Sequence, residues 1–330
     1  LDSRKPKGRE IFVKLIKSAD VVVANLPLEG LKRMGLDYES LCKIKPDIIL
    51  TTASSFGQTG PYATRLGFDG IAQAMSGAMS MSGSESEPMK SACNYVDFGT
   101  ASLSALGTVL ALFERKKSGK GQQVEASLLA TAVNYSLPLI TEQSVLNVNR
   151  VATKNRGQTA SPSDCFQTSD GWVMIMSIST RMYERWVGLL DDTERDYWLN
   201  DPKFKNDMSR GDNGAELSKR MATWCRQRTT KAVMSELATA RIPCGEVYTT
   251  QQTIDDPHIQ EAGFLQSVEY PGLQNQSGKA VISTPPIKLS RTPGYIHSRA
   301  PTLAEHTTEI LRDLGYSSTE INELKRQRVV

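Results

Sequence analysis

The stretch NYVDFGTASLSALG, from Asn94 to Gly107, sets one carboxylate, Asp97, ahead of a run of Gly, Ala, Ser and Leu that carries no other charge. An aspartate with an ordinary pKa of about 3.9 is an anion at neutral pH. It can therefore act as a nucleophile without a base, provided it has an electrophile, little competing water and donors for the oxyanion. Gly99, Thr100 and Ala101 are small enough to let a ligand approach the backbone. The same residue type is also a preferred helix N-cap. The two readings of Asp97 are compatible, because a helix N-terminus favours negative charge.

Other chemistries lack their residues. The three histidines, His258, His297 and His306, show no metal-ligand spacing. The five cysteines are dispersed and form no C-x-x-C pair, which argues against zinc knuckles, redox motifs and a secreted disulfide framework. No metal or redox cofactor is expected, and a reducing compartment is, either the cytoplasm or one such as the mitochondrial matrix. There is no G-x-G-x-x-G after a strand, no G-x-S-x-G and no H-E-x-x-H, and SGKGQQ lacks the upstream glycine and the Ser/Thr of a P-loop. The net charge of +3 is too small to point to nucleic acid. No uninterrupted apolar run reaches the roughly 18 residues of a membrane span, and LDSRKPKGRE is charged where a signal peptide is apolar, so no membrane partner is expected.

The elements that position Asp97 alternate. REIFVKLIKSA carries a helical apolar stripe, DVVVANL reads as a short strand, LEGLKRMG and YESLCKI as helical turns, and DIILTTASSFG as the next strand. Continuous apolar strands between helices predict a doubly wound parallel sheet, which binds ligands at its strand carboxyl ends. GQTGPYATRLGFDG is a Gly-rich loop and IAQAMSGAMSMSG a helix of small residues. The helix after Asp97 ends in Lys116, Lys117 and SGKG, and QQVEASLL is a further strand. Past residue 150 the polar NRGQTASPSD leads to the strand GWVMIMS and a second, helix-rich block.

Six ordered blocks resemble the class III CoA-transferases, the CaiB/BaiF family: ADVVVANLPLEGLKRMGLDYESL, SSFGQTGPYATRLGFDGIAQAMSGAMSMSG, VDFGTASLSALGTVLALFERKKSGKGQQVEASLL, DGWVMI, RIPCGEV and APTLAEHTTEILRDLGYSSTEI. The resemblance implies an α/β fold: a Rossmann-like, doubly wound large domain (1–150 and 285–330), a smaller α/β domain (160–270), a proline-rich return linker (271–300) and an interlocked homodimer. It implies an enzyme that moves coenzyme A from an acyl-CoA to a small carboxylic acid through an aspartyl anhydride and an aspartyl-CoA thioester. Asp97 takes the place of the nucleophile. Asp69, in GFDG, takes that of an acidic catalytic residue in a loop facing the active site. Asn25, Leu26, Arg33 and Met34 take those of CoA contacts, and His306 reads as a structural helix-start residue.

Three departures from the family pattern qualify this. The family begins with further strand-helix units that this sequence lacks. Oxalate-specific members carry a glycine run where this chain has NRGQTASPSD, with one glycine. Racemase members carry a histidine where this chain has Phe68. The alternatives are an acyl-CoA epimerase or racemase, which needs a two-sided proton exchange that Phe68 cannot carry, and a truncated, non-catalytic CoA-ester-binding paralogue.

Overall fold

A computed structural model of the chain describes every residue except 191 and 274–277. It divides into two compact units, 1–154 with 306–330, and 155–305.

The first unit runs α1 (Pro6–Ser18), β1 (Val21–Ala24), α2 (Leu28–Met34), α3 (Tyr38–Ile44), β2 (Ile49–Ser54), α4 (Asp69–Met75), a small hairpin of β3 (Gly83–Ser84) and β4 (Glu87–Pro88), α5 (Tyr95–Ser118), β5 (Gln123–Ser127), α6 (Leu128–Tyr135) and α7 (Leu137–Leu146). Strands β1, β2 and β5 form a parallel sheet in that order, with Val21 opposite Ile49 and Leu50 opposite Gln123. Side chains along a strand point alternately to its two faces. Val22 and Leu50 pack with Ile16 of α1 and Leu41 of α3. Thr51, one residue on, turns the other way and its Oγ1 lies 2.6 Å from Thr108 Oγ1 of α5. A side chain at Gly107 would collide with Val124, so glycine there lets α5 lie close on β5. Both faces of the sheet are thus covered by helices, as the strand–helix alternation predicts.

Arg115, near the end of α5, ties that helix to the starts of two strands. It donates to Asp20 Oδ1 at 2.7 Å, before β1, and to the Asp47 carbonyl at 3.1 Å, before β2. The chain returns to this unit at its end. In α15 (Thr307–Asp313) and α16 (Ser318–Arg326), Leu311, Ile321 and Leu324 bury against Ile11 of α1. Lys5 Nζ donates to the carbonyls of Gln327 and Arg328 at 2.6 and 3.0 Å.

The second unit holds an antiparallel sheet, β6 (Ser163–Gln167), β7 (Trp172–Met176) and β8 (Cys244–Glu246), in that order. Around it lie α8 (Thr180–Val187), α9 (Asp192–Asn200), α10 (Asp207–Asp212), α11 (Gly214–Arg226) and α12 (Thr230–Thr239). Its core joins Phe166, Val173 and Ile175 to Trp186, Leu217 and Trp224. After α13 (Thr250–Asp255) and α14 (Pro257–Glu261), β9 (Leu265–Glu269) pairs antiparallel with β10 (Lys279–Ser283).

Two sequence expectations change here. Residues 271–300 are not linker throughout. KAVIS alternates as a strand should and follows Gly278 at φ 61°, so it closes a hairpin before Pro285 and Pro286 end the pairing. Residues 274–277 of that expected linker lie outside the described residues, and residues 285–305 group with the second unit rather than the first. Counting uninterrupted apolar residues also misses α5, which by length and composition is apolar enough to cross a membrane. Its buried side, Val96, Thr100, Ser104 and Ala111, is narrow, whereas Phe98, Leu106, Val109, Leu110 and Phe113 are exposed.

The chain enters β5 through Gly121, where a Cβ would collide with the backbone carbonyls of Asp47 and Ile48. Backbone has no rotamer by which to yield. Gly121→Ala is expected to destabilise the first unit by about 1–3 kcal/mol, read as a lower urea midpoint at unchanged slope.

Candidate active site

The site grows from the loop between β2 and α4. Ser54 Oγ accepts from Gly57 N–H at 3.0 Å and Ser55 Oγ donates to the Gly67 carbonyl at 2.8 Å, which closes the base of the loop. Gln58 is fixed between strands: its N–H donates to Glu125 Oε1 and its side-chain amide to Thr52 Oγ1, at 2.5 and 2.9 Å. The loop therefore delivers Asp69 as the first residue of α4, directly after Phe68.

Asp69 is 3% exposed. Its Oδ2 accepts from the backbone N–H groups of Val96 and Asp97 at 2.8 and 3.0 Å. Its Oδ1 accepts from the side-chain amide of Gln73, one turn along α4. Gln73 is also buried, and its Oε1 accepts from Ser91 N–H at 2.9 Å. A helix leaves its first N–H groups without internal partners. In α5, Asn94 at the cap position makes no side-chain cap bond, and a carboxylate from another helix does the work instead.

This corrects the cap reading of Asp97. Asp97 is the third residue of α5, and among the described residues its carboxylate accepts no hydrogen bond. Asp69 likewise does not face a ligand from a loop. Both its oxygens accept hydrogen bonds from within the protein. Asp97 is exposed. Its carboxyl is pushed above the ordinary range, first by partial loss of solvent and then by the negative charge of Asp69. Along the next turn of the helix, Thr100 Oγ1 donates to Thr131 Oγ1 of α6 at 2.9 Å, and the Tyr135 ring packs against Gly99, where a Cβ would strike it.

The remaining expected residues separate into two places. Asn25 and Leu26 follow the carboxyl end of β1 and are exposed. Arg33 and Met34 close α2 before Gly35, which turns at φ 64°. They line a cavity of about 950 Å³ with Arg4, Arg9, Lys32 and Arg328. Arg9 Nη1 donates to the Met34 carbonyl at 3.0 Å. Asn25 and Leu26 do not line this cavity. Its cations suit a polyanionic ligand. The sequence reading missed Gln73 and Arg9. Gln73 stands at the helical i+4 position from Asp69, a spacing that puts two side chains on one face, whereas nothing in the sequence brings Arg9 to Met34. His306 is at the cap position of α15 and makes no side-chain cap bond. Among the described residues no three His, Cys, Asp or Glu side chains could hold a metal ion together.

The sequence profile of CoA-transferase family III matches residues 1–307. The chain is 29% identical over 333 residues to succinyl-CoA–D-citramalate CoA-transferase of Chloroflexus aurantiacus, covering 100% of this chain and 81% of that protein. It is 30% identical over 349 residues to formyl-CoA:oxalate CoA-transferase of Afipia carboxidovorans, covering 98% and 80%. Among solved structures, a CaiB/BaiF family protein from Brucella suis superposes with a TM-score of 0.78 at 28% identity, covering 95% of this chain and 80% of that one.

The geometry separates the two aspartates by stability. Asp97→Asn removes no side-chain hydrogen bond and is expected to leave the melting temperature nearly unchanged. Asp69→Ala strips the partner from the buried Val96 N–H and from the Gln73 amide. It is expected to destabilise the protein by about 1–3 kcal/mol in urea or thermal unfolding.

Proposed function

The chain belongs to CoA-transferase family III, and from that premise we propose that it transfers coenzyme A from an acyl-CoA to a small carboxylic acid with Asp97 as the nucleophile. The observation that carries the reading is Asp97 itself, an exposed carboxylate with no hydrogen-bond partner among the described residues, fixed in the first turn of α5 by a buried clamp. An Asp97 oxygen attacks the thioester carbonyl carbon. The C–S bond breaks and CoA thiolate leaves, giving an acyl-aspartyl anhydride. The thiolate attacks the aspartyl carbonyl of that anhydride and expels the donor acid, giving an aspartyl-CoA thioester. The acceptor carboxylate attacks this thioester, thiolate leaves again, and its attack on the acceptor acyl carbonyl releases Asp97 as carboxylate. Every nucleophile and leaving group is an anion, and no proton moves.

That chemistry asks for a fixed carboxylate and a held CoA, not for an acid–base pair. Asp69 serves it by position. The cavity lined by Arg9, Lys32, Arg33 and Met34 is our candidate for the anionic end of CoA, and Asn25 and Leu26, at the end of β1, for further contacts. The non-ionisable Phe68 beside Asp69 supports transfer over proton exchange at carbon. The relatives' names point to small diacids, citramalate and oxalate, as the acceptor class to try first. The exposed Phe98, Leu106, Val109, Leu110 and Phe113 of α5 support the proposal of a homodimer, in which a second copy covers them. All five cysteines are free, in keeping with a reducing compartment.

Two tests follow the chemistry. Given succinyl-CoA or formyl-CoA and a panel of acids, the wild-type protein is expected to form CoA esters of at least one acid and to carry a hydroxylamine-sensitive adduct at Asp97. Asp97→Asn is expected to lose transfer by several orders of magnitude while still binding the CoA ester; normal transfer by this variant, in protein shown free of deamidation, defeats the proposal. The pH profile is the second test. Only the ionised nucleophile reacts, so the rate falls as pH drops through the Asp97 value, which lies above the ordinary value of about 3.9. Asp69→Asn removes a neighbouring negative charge and is expected to move that acidic limb to lower pH. An unmoved limb removes Asp69 from the electrostatics of the site.

A further inference from the structure

We propose that Gln73 is a positioning residue for transfer: by bridging Asp69 and Ser91 it holds both ends of the segment that presents Asp97. The proposal rests on the reading of Asp97 as nucleophile.

The segment from Lys90 to Asp97 has few restraints of its own. Apart from bonds internal to α5, its local hydrogen bonds join near neighbours: Lys90 Nζ to the Ser91 carbonyl, Cys93 N–H to Ser91 Oγ and Tyr95 N–H to the Cys93 carbonyl. Among the described residues, its long-range hydrogen bonds are three backbone N–H groups, those of Ser91, Val96 and Asp97, and all three end on Asp69 or Gln73. Gln73 is the link between them, because its amide group donates to Asp69 Oδ1 while its carbonyl accepts from Ser91.

The residue type fits the task. The side chain is 2% exposed, so an unpaired partner there has no water to turn to. Its position needs one donor for a carboxylate and one acceptor for an N–H, from a single planar group. An amide supplies both at every pH. A leucine of similar size supplies neither. A glutamate supplies both only while protonated: its O–H donates to Asp69 and its carbonyl oxygen accepts from Ser91. Once ionised it faces Asp69 as a second anion. The ionisable groups near this end of the neighbouring elements are Asp97 and Tyr95 on α5, Tyr135 on α6, the exposed Cys93 and Lys90, whose stem lies 3.5 Å from where a Gly70 Cβ would be; the turn at Met79–Met81 carries none.

The experiment follows formation of the Asp97 adduct from succinyl-CoA in single turnovers, with steady-state KM measured alongside, for wild type, Gln73→Leu and Gln73→Glu. A nucleophile displaced by about 1 Å loses roughly 100-fold in rate. Gln73→Leu is therefore expected to form the adduct about 100-fold more slowly, with KM for the acyl-CoA within about twofold of wild type. The rate of Gln73→Glu, divided by that of wild type at the same pH, is expected to approach one near pH 5 and to fall steeply by about pH 8, as the buried glutamate ionises. A residue needed only for packing lowers the rate only in proportion to the folded fraction, which far-UV circular dichroism follows at each pH. A flat ratio, or a Gln73→Leu variant within about twofold of wild type, overturns the proposal. If Gln73→Leu does not fold, the pH course of Gln73→Glu decides alone. A wild-type protein that forms no adduct with any acyl-CoA defeats instead the assignment of Asp97.

Discussion

The first turn of α5 begins without a cap of its own, and the buried carboxylate of Asp69 accepts two of its N–H groups. The rest of the site depends on this bond pair. A helix capped from within its own chain segment needs no other element, so its direction relative to the sheet is set by side-chain packing alone. A helix capped by a residue at the start of another helix is locked to it. Here the lock joins α4, delivered by the β2 loop, to α5, which lies on β2 and β5. The same carboxylate that satisfies the helix also places a negative charge beside Asp97. Structure and electrostatics are therefore not separable at this position.

The sheet explains why such a meeting occurs at all. Parallel strands present their carboxyl ends at one edge, and the connections that leave them lie close together. The loop after β2 is long because it must pass over that edge before α4 begins, and its Gly57 and Gly60 take positive φ of 91° and 88° that side chains resist. Glu125 of β5 and Thr52 of β2 grip Gln58 at the loop's start, and Ser55 grips Gly67 at its end. The loop is therefore held at both ends, and Asp69 arrives at a defined place.

Much of this was legible in the residues, and what was not has a physical reason. Strands VVVA and ILTTAS and the helix after Asp97 follow from β-branched runs and from apolar spacing, which act locally. Asp97 was legible as chemistry because it is a lone charge in a neutral stretch. Its cap role was not correctly legible, since Asp at the cap and Asp at the third helical position give the same local sequence signal; what decides between them is a residue 28 positions away. The basic cavity was half legible. Arg33 and Met34 follow from family resemblance, but Arg9 joins them only because its side chain reaches from α1 to the end of α2, and Arg328 only because the chain returns at its end. The hairpin of β9 and β10 was hidden by the prolines that follow it, which dominate the composition of the segment.

The direction of the Asp97 shift has a chemical logic of its own. In an anhydride between Asp97 and an acid, thiolate can attack either carbonyl, and the better-leaving carboxylate is the one expelled. A complete transfer needs both outcomes: the donor acid must leave first, and Asp97 must leave last. A carboxyl much more acidic than its substrates would leave easily in every step and return the donor thioester. One much less acidic would hold the second anhydride and stall release. The exchange runs best in both directions when the acidities match. A free Asp side chain, at about 3.9, is more acidic than a carboxyl one methylene further from the backbone, as in Glu at about 4.3. Partial desolvation and the charge of Asp69 raise Asp97 from that starting value. The buried carboxylate that caps α5 therefore also makes Asp97, as the proposed nucleophile, a poorer leaving group than a free Asp side chain, which favours expulsion of the donor acid from the first anhydride.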